Sequence, residues 1–289
     1  MKVLVTGGNG QLGRALSGSV PDGALVEVVD RAQLDIRDSA AVDAICVRFA
    51  PNVIINAAAY TAVDAAESDP ATAQAVNAEG PMHLARAAAR SGARLLHVST
   101  DYVFSGDGTQ PYSPAQPTQP LGVYGRSKLD GEEAVLAELP TQSMILRTAW
   151  VYSPHGRNFL KTMLRLMAEK NSVRVVADQR GAPTAAHSIA EVLWACARLP
   201  ALHGIHHWTD GGEASWHEFA VAIAEDSRAA GLLSRSPEVT PIPTSEYPTP
   251  ARRPSYSVLD CTTTIEATGI SQVPWRTQLR RVLGAIANA

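Results

Sequence analysis

An α/β fold, with a doubly wound parallel sheet and a smaller mixed α/β lobe beside it, is what this 289-residue sequence predicts. Three observations carry that expectation. Short apolar runs alternate with alanine-rich helical stretches through the first half, the pattern of a parallel sheet with helices on both faces. The runs are apolar almost throughout, as strands covered on both faces must be. After about residue 150 the alternation loosens. Residues 1–150 are therefore expected to carry the sheet, and residues 151–289 mainly the smaller lobe, partly interleaved with it.

The first strand is KVLVT (2–6) and the second ALVEVVD (24–30); NVIINAAA (52–59), RLLHVST (94–100) and SMILRT (143–148) follow. Helical patterns are expected between them near 11–18, 38–50, 67–91 and 122–138. In the second half, helices near 156–170, 187–199 and 215–231 accompany two further strands, SVRVVAD (172–178) and GIHHW (204–208). The run SPEVTPIPTSEYPTPARRPS (236–255) is too broken by proline for a long regular element, and is expected as an extended segment lining the cleft. An amphipathic helix from about Trp275 to Ala287 comes last.

Composition narrows the function classes. With 45% hydrophobic and 18% charged residues and a net charge of −3, neither a nucleic acid nor an acidic membrane surface is an expected partner. No apolar run reaches the ~18 residues that span a bilayer. MKVLVTGGNG reads as a strand and turn rather than a signal peptide. Cys46, Cys196 and Cys261 lie far apart in no paired motif, as reduced, buried thiols of a cytoplasmic protein would. His203, His206 and His207 tempt a metal reading, but neighbours on a strand point to opposite faces, so no metal site is expected. The acids of DAAESD (64–69) are expected to start a helix.

VTGGNGQLGRAL follows the first strand directly and opens a helix. Gly7 permits the tight turn, Gly10 lets the backbone approach a pyrophosphate, and Gly13 allows the helix to pack closely on the strand. Gln11 and Leu12 begin that helix, whose free N–H groups face the phosphates. This is the fingerprint of a Rossmann-type dinucleotide site. Asp30 ends the second strand seventeen residues after Gly13, where an acid binds the adenosine ribose and favours NADH. Arg31 beside it suits a 2′-phosphate and favours NADPH; the two remain open, with NADPH the expected cofactor and NADH also accepted. Asp35 and Ile36 of LDIRD (34–38) fall at a distance suited to covering the adenine.

In YGRSK, Tyr124 and Lys128 are four residues apart and share a helix face. A nearby ammonium stabilises a phenolate, so the pair is expected to donate and accept a proton near neutral pH, with Lys128 lowering the pKa of Tyr124. VSTDYVF (98–104) ends a strand where open α/β sheets bind ligands, and Thr100 there can donate to a substrate carbonyl.

The glycine loop, the Ser-Thr-Asp at 99–101 and the Tyr-x-x-x-Lys together resemble the extended short-chain dehydrogenase/reductases. INAAAYTAVDAAESDP (55–70), STDYVFSGDG (99–108), PLGVYGRSKLDGE (120–132), RTAWVY (147–152), DQRGAPT (178–184) and YPTPARRPSYSVL (247–259) are similar, within them, to the dTDP-4-dehydrorhamnose reductase family. That resemblance implies reduction of the C4 ketone of a 4-keto-6-deoxy sugar on dTDP. By the same resemblance Tyr124 protonates the alkoxide, Lys128 holds the nicotinamide ribose, and Thr100 orients the keto oxygen. Ala59, Tyr60 and Thr61 would line the cofactor pocket, and Asp101 the sugar site. Trp150 would stack on thymine, or else be a core residue at a strand end. Arg252 and Arg253 would meet the pyrophosphate, or else form a solvated pair on the proline-rich loop.

Some members of the family hold a magnesium ion between subunits with carboxylates where this chain has Ala15 and His187. Magnesium is accordingly doubtful, and a monomer or weak homodimer is expected. Three other functions compete: a dehydratase or epimerase, a reductase of another nucleotide-linked 4-keto-6-deoxy sugar, and a regulatory subunit that binds NADP without turnover. Dehydratases of this superfamily follow the threonine with an Asp-Glu pair, and Tyr102 replaces that Glu here. The complete set of Thr100, Tyr124 and Lys128 argues against the regulatory subunit.

Overall fold

The computed structural model describes residues 1–235 and 237–288; Ser236, at the start of the proline-rich run, and Ala289 lie outside the described residues. β1 (Lys2–Thr6) leads into α1 (Gln11–Ser17), β2 (Leu25–Val29) into α2 (Ser39–Phe49), and β3 (Val53–Asn56) into a broken helical stretch. That stretch comprises α3 (Val63–Ala66), α4 (Pro70–Gln74), a π-turn over Ala75–Glu79 and α5 (Gly80–Ser91). β4 (Arg94–Thr100), α6 (Val123–Glu138) and β5 (Ser143–Thr148) follow. Then come β6 (Val151–Tyr152), α7 (Phe159–Glu169), β7 (Ser172–Val176), β8 (Arg180–Gly181), β9 (Thr184–Ala185), α8 (Ala186–Ala197) and β10 (Gly204–His207). The chain closes with β11 (Ala214–Ser215), α9 (Trp216–Ala229), β12 (Glu238–Ile242), α10 (Thr262–Thr268) and α11 (Trp275–Ala287).

Six parallel strands in the order β10-β5-β4-β3-β1-β2 form the doubly wound sheet the sequence predicts. The winding direction reverses between β1 and β3, which opens a crevice beyond their carboxyl ends. Alternate residues face opposite layers, so Val3 and Val5 pack toward Leu16 of α1 and Ile189 of α8, while Leu4 packs toward Ile45 of α2 and Leu84 of α5. A third core joins Leu160 of α7, Phe219 of α9 and Leu279 of α11 over Val173 of β7. β10, from the second half of the chain, completes the main sheet beside β5.

The elements differ from expectation where side chains intervene. The third strand stops at Asn56 rather than Ala59, because the Asn56 side chain accepts the Ala58 N–H and turns the chain outward. The helix expected over 67–91 is broken: Asp69 caps α4 at Thr72, and Pro81 cannot donate to the Asn77 carbonyl, so the π-turn spans the gap. The proline-rich run contains a five-residue strand, β12, parallel to β7. Pro241 is tolerated there because the sheet has only two strands, and an edge needs no second donor.

Candidate active site

A cavity of about 1250 Å³ lies beyond the carboxyl ends of β1, β3, β4 and β5. On the sheet side its walls come from the glycine loop, the turns after β3, β4 and β5, and helix α6; on the other side they come from α7, β7, Trp216 and the proline-rich run at Tyr247, Thr249 and Arg253.

The glycine loop is shaped by close approach. Gly7 has φ +75°, and a Cβ there would lie 2.7 Å from the backbone of Ala57; a Cβ on Gly13 would lie 2.2 Å from the Gly7 carbonyl. Neither position admits a side chain. A Cβ on Gly10 meets only the Gly7 oxygen, at 3.1 Å, and Gly10 is part of the cavity wall beside Gln11 and Leu12. α1 begins at Gln11 with no side-chain cap, and Arg14 is the first residue to donate back, to Gly10 at 3.0 Å. The amides of Gln11, Leu12 and Gly13 are thus aimed at an incoming anion, and this cradle fits a dinucleotide pyrophosphate. Gln11 also ties the loop to the chain beyond β6: its Oε1 accepts from Ser153 at 3.0 Å and from Asn158 at 2.8 Å.

The acids assigned to the adenosine end are engaged locally. Asp30 accepts from the amides of Ala32 at 2.9 Å and Gln33 at 3.1 Å and from the Asn9 side chain. Asn9 lines the cavity, so Asp30 stands one residue behind its wall. Arg31 is largely exposed, 3.6 Å from Asp35. Asp35 is gripped by the Arg37 guanidinium, which holds its carboxyl down at about 2, and Ile36 is buried in the core against Gly80. The structure therefore keeps Asp35 and Ile36 out of the cavity wall. Ala59 and Thr61 line it; Tyr60 does not, its backbone being clamped by Asn77, which bonds both its N–H (2.8 Å) and its C=O (3.0 Å).

Thr100, Tyr124 and Lys128 converge on this cavity. Thr100 closes β4, its hydroxyl donating to Asp101 at 2.9 Å. α6 can lie close to that strand end because Gly125 has no side chain: a Cβ there would come within 2.2 Å of the Tyr102 carbonyl. The Tyr102 ring meets the Tyr124 ring edge-on at 5.5 Å. Deeper along α6, Glu132 takes the Arg147 guanidinium in a fork at 2.9 and 2.6 Å and accepts from Ser99, all of it buried. This pins the helix to β4 and β5.

The electrostatics correct one expectation. Burial pushes the Tyr124 hydroxyl up to about 12, and the neighbour that pulls it down is the Thr100 hydroxyl rather than Lys128. The Lys128 ammonium is turned into the sheet, donating to the Val98 carbonyl at 2.7 Å and lying 3.4 Å from His97 Nε2. Burial brings its pKa down to about 8, with Glu132 opposing. Asp101 is raised by burial to about 6, and its Oδ2 has no partner among the described residues.

The outer wall also differs from the expected arrangement. Trp150 lines the cavity at φ +47°, but one face of its ring is stacked on Trp216 at 3.4 Å. Arg253 reaches the wall with its fork already on Asp64, at 3.0 and 2.8 Å, whereas Arg252 is exposed and lies outside it. His206 and His207 bond different backbone carbonyls, those of His203 and Tyr112. His187 bonds Gln278 at 2.8 Å, and Ala15 has no donor atom, so this pair does not fit a magnesium ion. Among the described residues no group of three or more His, Cys, Asp or Glu side chains gathers as for a metal, and no helix is long and apolar enough to cross a membrane.

The family model described as the RmlD substrate binding domain matches residues 1–288. The chain belongs to this family. A dTDP-4-dehydrorhamnose reductase of Aggregatibacter actinomycetemcomitans is 43% identical over 288 residues, covering 97% of this chain and 98% of that one. A crystal structure of a dTDP-4-dehydrorhamnose reductase from Clostridium acetobutylicum superposes with a TM-score of 0.93 at 38% identity, over 99% of both chains. One from Bacillus anthracis, in complex with NADP, gives 0.91 at 35% identity, over 97% of this chain and 98% of that one.

Sequence reasoning passed over Asn56 and His97, although polar residues inside strands that read as wholly apolar are a signal that something bonds them. For Trp216 no local signal exists, since only the tertiary fold brings it to Trp150.

Proposed function

We propose that the chain reduces the C4 ketone of dTDP-4-dehydro-6-deoxy-L-mannose with NADPH, giving dTDP-L-rhamnose. The observation that carries this reading is the convergence of Thr100, Tyr124 and Lys128 in one cavity with the glycine loop. The named activity of relatives aligned over nearly the whole chain supports it. NADPH, when bound, supplies the hydride. Tyr124 gives its hydroxyl proton to the oxygen at C4, so the ketone becomes an alcohol and a phenolate is left. Thr100, turning its single hydroxyl proton from Asp101 to that oxygen, orients it. Lys128 binds the nicotinamide ribose and returns a proton to Tyr124. Tyr102 stands where a dehydratase carries a carboxylate, and burial pushes its hydroxyl above its ordinary range, so it stays protonated, cannot act as a base, and a single reduction is favoured.

Residues 1–150 carry the cofactor in this reading, and residues 151–289 mainly the substrate; Trp150, Asp101 and Arg253 face the nucleotide sugar. The chain acts in the cytoplasm, as a monomer or weak homodimer. The direct test incubates the purified protein with NADPH and the dTDP-linked 4-keto sugar, following NADPH absorbance and identifying the product by NMR. The reading requires NADPH oxidation and the L-rhamno product; a different C4 epimer would assign another 4-keto-6-deoxy sugar pathway, and no oxidation would reject it.

Two substitutions test the cofactor end. Gly10→Ala adds a methyl on the cavity wall, and NADPH affinity is expected to fall at least tenfold, about 1.4 kcal/mol, with the fold kept. Unchanged affinity in a fluorescence titration would exclude this loop as the phosphate site. Asp30→Ala removes the ribose acceptor and leaves Arg31, so the kcat/KM ratio of NADPH to NADH is expected to rise. An unaltered ratio would show that Asp30 does not reach the ribose.

A further inference from the structure

Thr6, Asn56 and His97 stand side by side across β1, β3 and β4, paired in register. All three are buried, as is Lys128 at the end of the row. The Thr6 hydroxyl donates to Asn56 Oδ1 at 2.7 Å, and the Ala58 backbone N–H donates to the same oxygen at 3.1 Å. A backbone N–H can only donate, so the Asn56 amide has one orientation, with its oxygen toward Ala58 and its nitrogen toward His97. That nitrogen therefore donates to His97 Nδ1, at 2.9 Å. With Nδ1 accepting, the neutral ring carries its proton on Nε2. Nε2 is the atom 3.4 Å from the Lys128 amine. An N–H aimed at an ammonium finds no acceptor, whereas the same N–H aimed at an uncharged amine finds its lone pair.

We propose that His97 is a positioning residue for Lys128, whose Nε2–H favours the uncharged amine, so that the Thr6–Asn56–His97 row sets the pH at which the Tyr124–Lys128 pair gives up its proton. This rests on the reading of that pair as the proton donor. The row begins at the residue before Gly7, which links the cofactor loop to the proton-transfer pair through side chains alone. The other groups facing Lys128 are Glu132 and Tyr124, one turn away on either side along α6; Arg147 of β5 acts on it through Glu132. The π-turn packed on α6 brings the uncharged Asn77, which bonds Ser127. Around His97, β3 brings Asn56 and β5 the apolar Ile145. Burial keeps the ring neutral, holding its pKa well below the usual histidine value.

Two measurements test the inference. Nitrogen NMR of histidine-labelled wild-type protein is expected to show His97 with Nε2 protonated and Nδ1 bare across the neutral range; the opposite tautomer, or an imidazolium, overturns the proposal. In His97→Gln the amide can turn its oxygen to Lys128, which removes the opposing N–H. The ammonium then persists to higher pH. The titration of the Lys128 Cε signal and the basic limb of the kcat/KM profile should both move up by about one pH unit, a tenfold change in proton affinity. Activity lost evenly at every pH, with the Lys128 titration unmoved, would make His97 merely structural and overturn the inference. A moved Lys128 titration in a chain that turns over no keto sugar would uphold the inference and reject the reductase reading. If His97→Gln does not fold, the wild-type tautomer still decides.

Discussion

Replacing Tyr124 by Phe is expected to lower kcat by roughly 10²–10⁴-fold, the usual loss when a general acid is removed. The ring and its edge-on contact with Tyr102 remain, and only the proton is gone. NADPH and keto-sugar affinities should therefore change far less than kcat. Lys128→Met should also cut kcat, and it should weaken NADPH because the ribose contact goes with the amine. The double variant should lose less than the product of the two single effects, since the residues act as one unit. Steady-state kinetics with the dTDP-linked keto sugar measures all three. A Tyr124→Phe enzyme that turns over near the wild-type rate would reject the mechanism, and a subunit that binds NADP without turnover would become the better reading.

Arg147→Met is expected to give the largest stability loss, about 3–5 kcal/mol, because it leaves the Glu132 carboxylate buried without its cation. Arg147 and Glu132 are 2% and 1% exposed, so water does not replace the lost partner. The Ser99 hydroxyl remains as a donor, but a single neutral donor does not offset a buried charge. Arg147 also lies 5.0 Å over the Phe104 ring, and Met retains part of that packing. Adding Glu132→Gln should recover part of the loss, since the double variant buries no net charge. Urea denaturation of the two variants reads this directly. A loss below about 1 kcal/mol, the range of exposed pairs, would show that the pair does not hold α6 to the sheet.

The elements that came through from sequence alone are those whose signal is local. Strands 2–6, 94–100 and 143–148 and the helix Trp275–Ala287 were legible because hydrophobic periodicity reports which face a residue buries. The glycine loop was legible because its spacing is a backbone requirement, and in the structure Gly7 and Gly13 have no room for a side chain. Tyr124 and Lys128 were legible as a pair because four residues on a helix make one face. What each of those side chains touches was not. Lys128 turns to Val98 and His97, thirty and thirty-one residues away in sequence. Arg253 spends its fork on Asp64, 189 residues away, and Trp150 stacks on Trp216. Asn56 ends its strand early to serve as a hinge between Thr6, Ala58 and His97. Periodicity determines which way a side chain faces, and composition which chemistry it can do. The partner it meets, and therefore its proton affinity and its freedom to bind a ligand, depends on which distant segment the packing of sheet and helices brings alongside, and only the tertiary structure decided that.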